Sequence, residues 1–115
     1  MQLQEFYETV GGDYAGTSQR LYNDALILRV VKMYPSDPNF DKLHHALGAQ
    51  DWEEAFRAAH TLTGVGQNLG FTRLYKASSD LTEALRGGRP LMDRTLWERV
   101  ETEHQRVLNA LTQLN

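Results

Sequence analysis

Among the four histidines of this 115-residue chain, His60 has the neighbours that make chemistry conceivable. It sits in the stretch RAAHTLTGVGQNLGF, where Gly64 follows it by four residues inside what otherwise reads as a helix. A glycine there weakens a helix by about 1 kcal/mol relative to alanine, so something other than local stability favours it. Near pH 7 a neutral imidazole is well populated and one ring nitrogen carries a free lone pair. An accessible ring of this kind is a nucleophile that needs no separate base.

The element that must position it opens at Asp51, whose side chain can cap a helix, with Glu54 three residues on to complete a capping box. The spacing predicts a helix to about Leu69, with Gly70 turning the chain. On a wheel of about 100° per residue, Ala55, Ala58, Ala59, Val65, Gly66 and Leu69 cluster around Leu62 as the core side. His60 falls about 160° from Leu62, amid a polar stripe of Glu53, Arg57, Gly64 and Gln67. Phe56 and Thr63 lie on the boundary. The ring is therefore expected outside, where the empty side-chain position of Gly64 leaves room for another protein's surface. The wheel alone fits a solvent-facing histidine without a role equally well.

Around this helix, turn and cap signals mark out the other elements. LQEFYETV places Leu3, Phe6, Tyr7 and Val10 at helical spacing and stops at Gly11-Gly12, predicting a short lid helix. GGDYAGTSQRLY can be loop or broken helix, given Gly11, Gly12 and Gly16. Asn23 can cap DALILRVVKMY, with Leu26, Val30, Met33 and Tyr34 on one face ahead of Pro35. Asp37-Pro38 starts the next helix, with Phe40, Leu43 and Leu47 as its buried stripe. FTRLYKASSDLTEALR should end at Gly87-Gly88, and Asp93 can cap a last helix carrying Leu96, Val100, Val107, Leu111 and Leu114. No stretch alternates with period two for a useful length. The expected fold is all-α: an antiparallel four-helix bundle with a short additional N-terminal helix, forming one domain over residues 1–115.

Composition removes other classes of function. There is no cysteine, hence no disulfide scaffold, thiolate nucleophile or cysteine-based zinc site. The net charge is −3 with both signs interspersed, so a concentrated basic face for nucleic acid is not expected. The apolar run ALILRVV is broken by Arg29 and falls far short of the roughly 20 residues that cross a bilayer. No basic-then-apolar leader is present, and a soluble, cytoplasmic protein is expected.

Other chemistry-bearing residues weigh less. His44 and His45 are adjacent, about 100° apart on a helix, and poorly placed to share a metal. His104, between Glu103 and Gln105, is expected to be solvated. Trp52, Tyr75 and Trp97 could form a partner patch, though aromatics at helix boundaries usually close a small core. No phosphate-binding Gly-rich loop, His-Glu-x-x-His pair or Gly-x-Ser-x-Gly elbow occurs, and no metal site or ATP site is expected.

Ala59, His60, Thr61, Leu62, Thr63 and Gly64, followed by Leu69, Gly70, Phe71 and Leu74, resemble the histidine-containing phosphotransfer (HPt) domains. Their pattern is Ala-His-x-Leu-Lys-Gly, then a glycine and an aliphatic or aromatic residue opening the next helix. The resemblance implies that His60 is the phosphoacceptor, that Gly64 keeps its ring reachable and that Leu62 anchors the helix. It implies a polar side chain from the following helix on the other ring nitrogen, which places Thr82 there, with Ser78 and Ser79 one turn earlier. It further implies a response-regulator receiver domain and a hybrid sensor histidine kinase as partners, and no cofactor on this chain, magnesium being expected on the receiver. The departure is Thr63, where the pattern has lysine. Arg57, one turn before His60, and Lys76 or Arg73 on the next helix are the candidate replacements for that charge, and Gln67 is a candidate for partner docking.

Two rival readings use the same residues. A helical-bundle module could bind a receiver or another signalling protein through the His60 face without transfer, a reading that Thr63 supports. A helical domain unrelated to signalling would need the pattern to have arisen by chance.

Overall fold

The computed structural model describes residues 1–115 as seven α-helices: α1 (Leu3–Val10), α2 (Tyr14–Leu21), α3 (Asp24–Lys32), α4 (Asn39–Gly48), α5 (Trp52–Leu69), α6 (Thr72–Leu85) and α7 (Thr95–Leu111). A short 3-10 turn, Tyr34–Ser36, joins α3 to α4, and there is no strand. No helix is long and apolar enough to cross a membrane.

Helices α4 to α7 form the expected bundle, with α5 against both α4 and α6, and α6 against α7. Aromatic rings close the side between α4 and α7. Phe40 stacks on His104 at 3.6 Å between centroids and on Trp97 at 5.2 Å. Helix α5 buries Ala55, Ala58, Ala59, Leu62 and Gly66, a face small enough to let its neighbours approach closely. At Gly66 an added Cβ would stand only 3.2 Å from the Tyr75 backbone nitrogen. The ends of α5 follow the local signals. Asp51 accepts a hydrogen bond from the Glu54 amide at 3.2 Å, and Gly70 closes the helix at φ 75°, a conformation cheap only for glycine. The other half of the expected capping box is not formed, because the Glu54 carboxylate pairs with Arg57 and the Asp51 amide donates to Ala46 O.

Three helices precede the bundle: α1 and α3, both signalled by the sequence, and α2 between them, where the expected architecture counted a single short addition. Helix α1 is a wall of the core rather than a lid: Phe6, Tyr7 and Val10 are all buried, and it packs on α7. Full burial of such side chains stabilises by about 1.5–3 kcal/mol each, more than a lid free to move could retain. The Tyr7 hydroxyl donates to Leu69 O at 2.6 Å, tying α1 to the end of α5, and burial pushes its pKa up to about 12. The glycine-containing segment that left loop or broken helix open forms α2, capped by Asp13, which accepts from the Gly16 amide at 2.9 Å.

On α3 the buried face differs from the predicted one. Ile27 and Val31 are buried, with Tyr34 following them, while Leu26 and Met33 are 40% and 61% exposed. The run ALILRVV offers apolar side chains on adjacent faces, so period alone could not choose between stripes one residue apart. On α7, Val100 and Val107 are buried as expected, joined by Trp97 and Ala110, while Leu96 and Leu111 are half-buried; Leu114, expected on this helix, is half-buried but lies past its end. His104 is not solvated. It is half-buried, shares a 2.6 Å hydrogen bond between Nδ1 and the Tyr34 hydroxyl, and burial lowers its pKa.

Candidate functional site

His60 projects from the exposed side of α5. Neither ring nitrogen has a hydrogen-bond partner within the chain, whereas His104 has one. Phe56, one turn earlier, stacks against the imidazole with centroids 5.9 Å apart and planes within 4° of parallel. This fixes one side of the ring with a half-buried hydrocarbon surface and leaves the nitrogens to solvent.

Gly64 sits one turn after His60, and a Cβ built there meets no atom within 4 Å. The contrast with Gly66 on the same helix is instructive. Gly66 is required by the close crossing of α6, whereas nothing in the chain's own packing requires Gly64. Its helix-weakening effect is uncompensated inside the molecule, and its position leaves open space one turn from the imidazole.

The remaining predicted residues divide into those that share this face and those that do not. Gln67 is exposed two turns beyond His60, its backbone carbonyl accepting from Arg20 of α2 at 3.4 Å. Arg57 is exposed but paired with Glu54 at 3.1 Å. Thr63 turns into the seam with α6: its hydroxyl donates to Ala59 O at 2.8 Å and lies 3.2 Å from that of Thr82. Thr82 is buried and donates to Ser78 O at 2.7 Å, so its hydroxyl is occupied by the seam and makes no hydrogen bond to the imidazole. Ser78 is likewise buried, donating to Leu74 O at 2.6 Å. Lys76 is exposed on α6 without a hydrogen bond or ion pair, and Arg73 is committed to Glu103 of α7 at 3.2 Å.

Two charged residues beside the ring were not singled out from the sequence. Arg86, just past the end of α6, holds its guanidinium 5.2 Å from the Phe56 ring centroid and is paired with Glu83. Glu83 has its carboxyl pKa lowered, first by the hydrogen bond from Arg86 and then by the nearby charges of Arg86, Arg89 and His60. The signal was an i,i+3 charge pair, indistinguishable in sequence from any solvated helix end. Only the α5–α6 register brings it to His60.

The molecule is thus a helical bundle that presents one exposed imidazole from a helix packed between two others. The family model of the Hpt domain matches residues 36–110, which span α4 to α7, and the chain belongs to the Hpt domain family. No curated protein and no solved structure matches it. Membership assigns a phosphotransfer-type role in two-component signalling. Helices α1 to α3 lie outside the matched residues.

Proposed function

We propose that the chain accepts a phosphoryl group on His60 from an aspartyl phosphate of a response-regulator receiver domain and passes it on in a phosphorelay. The observation that supports this most directly is the pairing of an exposed, unbonded imidazole with an open position at Gly64. An unprotonated ring nitrogen attacks phosphorus in line. The N–P bond forms as the P–O bond to the aspartate breaks, and the carboxylate leaves with the electron pair. Phosphoryl transfer needs placement and charge neutralisation more than covalent help, so a module that offers only the nucleophile suffices as a carrier without autonomous catalysis. In this reading magnesium belongs to the receiver, a hybrid sensor histidine kinase stands upstream, and the protein works in the cytoplasm.

Incubation with a phosphorylated receiver tests the proposal. An acid-labile, alkali-stable label on His60 that disappears in His60→Gln is the expected result, and label that persists in His60→Gln sinks it.

One observation favours the second reading, a docking module that binds a receiver through the same face without transfer: Thr63 offers no charge and its hydroxyl is turned inward. Binding that survives His60→Gln, with no transfer in either protein, selects that reading.

A further inference from the structure

The resting structure pairs Arg86, which lies against the same Phe56 ring as His60, with a carboxylate that a phosphoryl group could displace. Arg86 Nε donates to Glu83 Oε2 at 3.0 Å and a terminal nitrogen donates to Oε1 at 2.7 Å. The guanidinium lies by the same Phe56 ring that stacks on His60. Arg89 reinforces the turn, donating to the backbone oxygens of Glu83 at 2.9 Å and Arg86 at 3.0 Å. Among the other charges, Arg73 is held by Glu103 on α7, Arg57 is paired with Glu54 on its own helix, and Lys76 stands unpaired on α6, while Thr63 carries no charge.

The Glu83–Arg86 pair is exposed on both sides, at 62% and 54%, so water competes with it and its partners can be exchanged. A phosphoryl group brings about two negative charges and three strong acceptor oxygens, and guanidinium binds such a group through two parallel hydrogen bonds. A single carboxylate is the weaker competitor.

We propose that Arg86 is an exchangeable counter-ion, paired with Glu83 in the resting protein and transferred to the phosphoryl group when His60 carries one. Arg86 thereby takes the charge-neutralising place that lysine holds in the resembled pattern, and Glu83 restrains it until then. This rests on His60 being the phosphoacceptor. No covalent bond changes in the exchange. Two hydrogen bonds to a carboxylate are replaced by two to phosphoryl oxygens.

The test uses the full chain with two donors: phosphoramidate, which needs no partner, and a phosphorylated receiver. Arg86→Gln should slow labelling of His60 by the receiver about tenfold, Arg86→Lys should restore it to within about threefold, and Glu83→Gln, which frees the guanidinium, should raise it about threefold. Lys42→Gln, an exposed charge on α4, controls for net charge. A pair that merely braced the end of α6 would lose rate in both variants, so the opposite signs carry the proposal. The Nε–H resonance of Arg86 should move on phosphorylation by phosphoramidate in the unaltered chain and stay fixed in His60→Gln. Equal rates for Arg86→Gln and the unaltered chain, or parallel losses in Arg86→Gln and Glu83→Gln, overturn the exchange while leaving the phosphocarrier reading standing. No label on His60 of the unaltered chain from either donor overturns that reading, and the exchange with it.

Discussion

The hydroxyls of Thr63 and Thr82 stand 3.2 Å apart across the seam between α5 and α6. Both also donate to carbonyls one turn back on their own helices, so the pair is a packed contact rather than part of a ring-holding network. Thr82→Val should therefore lower stability by about 0.5–1.5 kcal/mol, the net worth of a hydrogen bond, and leave labelling of His60 within about twofold. Urea denaturation and a labelling time course check the two halves. A tenfold loss of label at unchanged stability would show that Thr82 acts on the ring.

Gly64 makes a prediction with opposite signs for stability and function. Its Cβ position is open, so Gly64→Ala should stabilise the fold by about 0.5–1 kcal/mol through helix propensity. A long side chain, as in Gly64→Gln, should cut labelling by a receiver more than tenfold while phosphoramidate, a small donor, still reaches the ring. Equal losses with both donors would mean that the imidazole itself had been disturbed.

At Gly66 the same substitution should do harm. A Cβ there comes within 3.2 Å of Tyr75 N and 3.3 Å of its Cα, and backbone cannot swing away as a side-chain tip can. Gly66→Ala should destabilise by about 1–3 kcal/mol, the usual cost of overpacking, as read by thermal or urea melts. A melt unchanged from the unaltered chain would contradict the close crossing of the two helices.

The Tyr34–His104 hydrogen bond predicts a pH dependence. Burial lowers the His104 pKa below its ordinary value of 6.5, so the folded state binds the proton less readily than the unfolded chain. Above 6.5 the ring is neutral in both states and its contribution is fully present; it is lost as pH falls from there through the depressed folded value. The stability advantage of the unaltered chain over His104→Gln should thus shrink between pH 7.5 and pH 5, measured by urea denaturation at each pH. A constant difference across that range would refute the assignment.

Much of this was legible because it is local. The limits of α5 follow from Asp51 and Gly70, whose cap and left-handed turn are decided within a few residues of chain, and the outward bearing of His60 follows from helical period alone. The face of α3 was not legible, because Leu26 and Ile27 are equally apolar and only the neighbouring helices choose between them. His104 was misread for a related reason. Its sequence neighbours are polar, while the partners that bury it, Phe40 and Tyr34, come from other elements.

By itself, then, the amino-acid sequence determined that this protein is a set of amphipathic helices with one imidazole turned away from the apolar side and a glycine beside it. The tertiary structure alone decided what surrounds that imidazole. It sent Thr63 and Thr82 into a seam, committed Arg73 to Glu103 on another helix, and brought Arg86 to Phe56. The physical reason is that period and capping act along one helix, whereas the packing of α5 on α6, close enough at Gly66 to leave little room for a Cβ, depends on side chains of both helices.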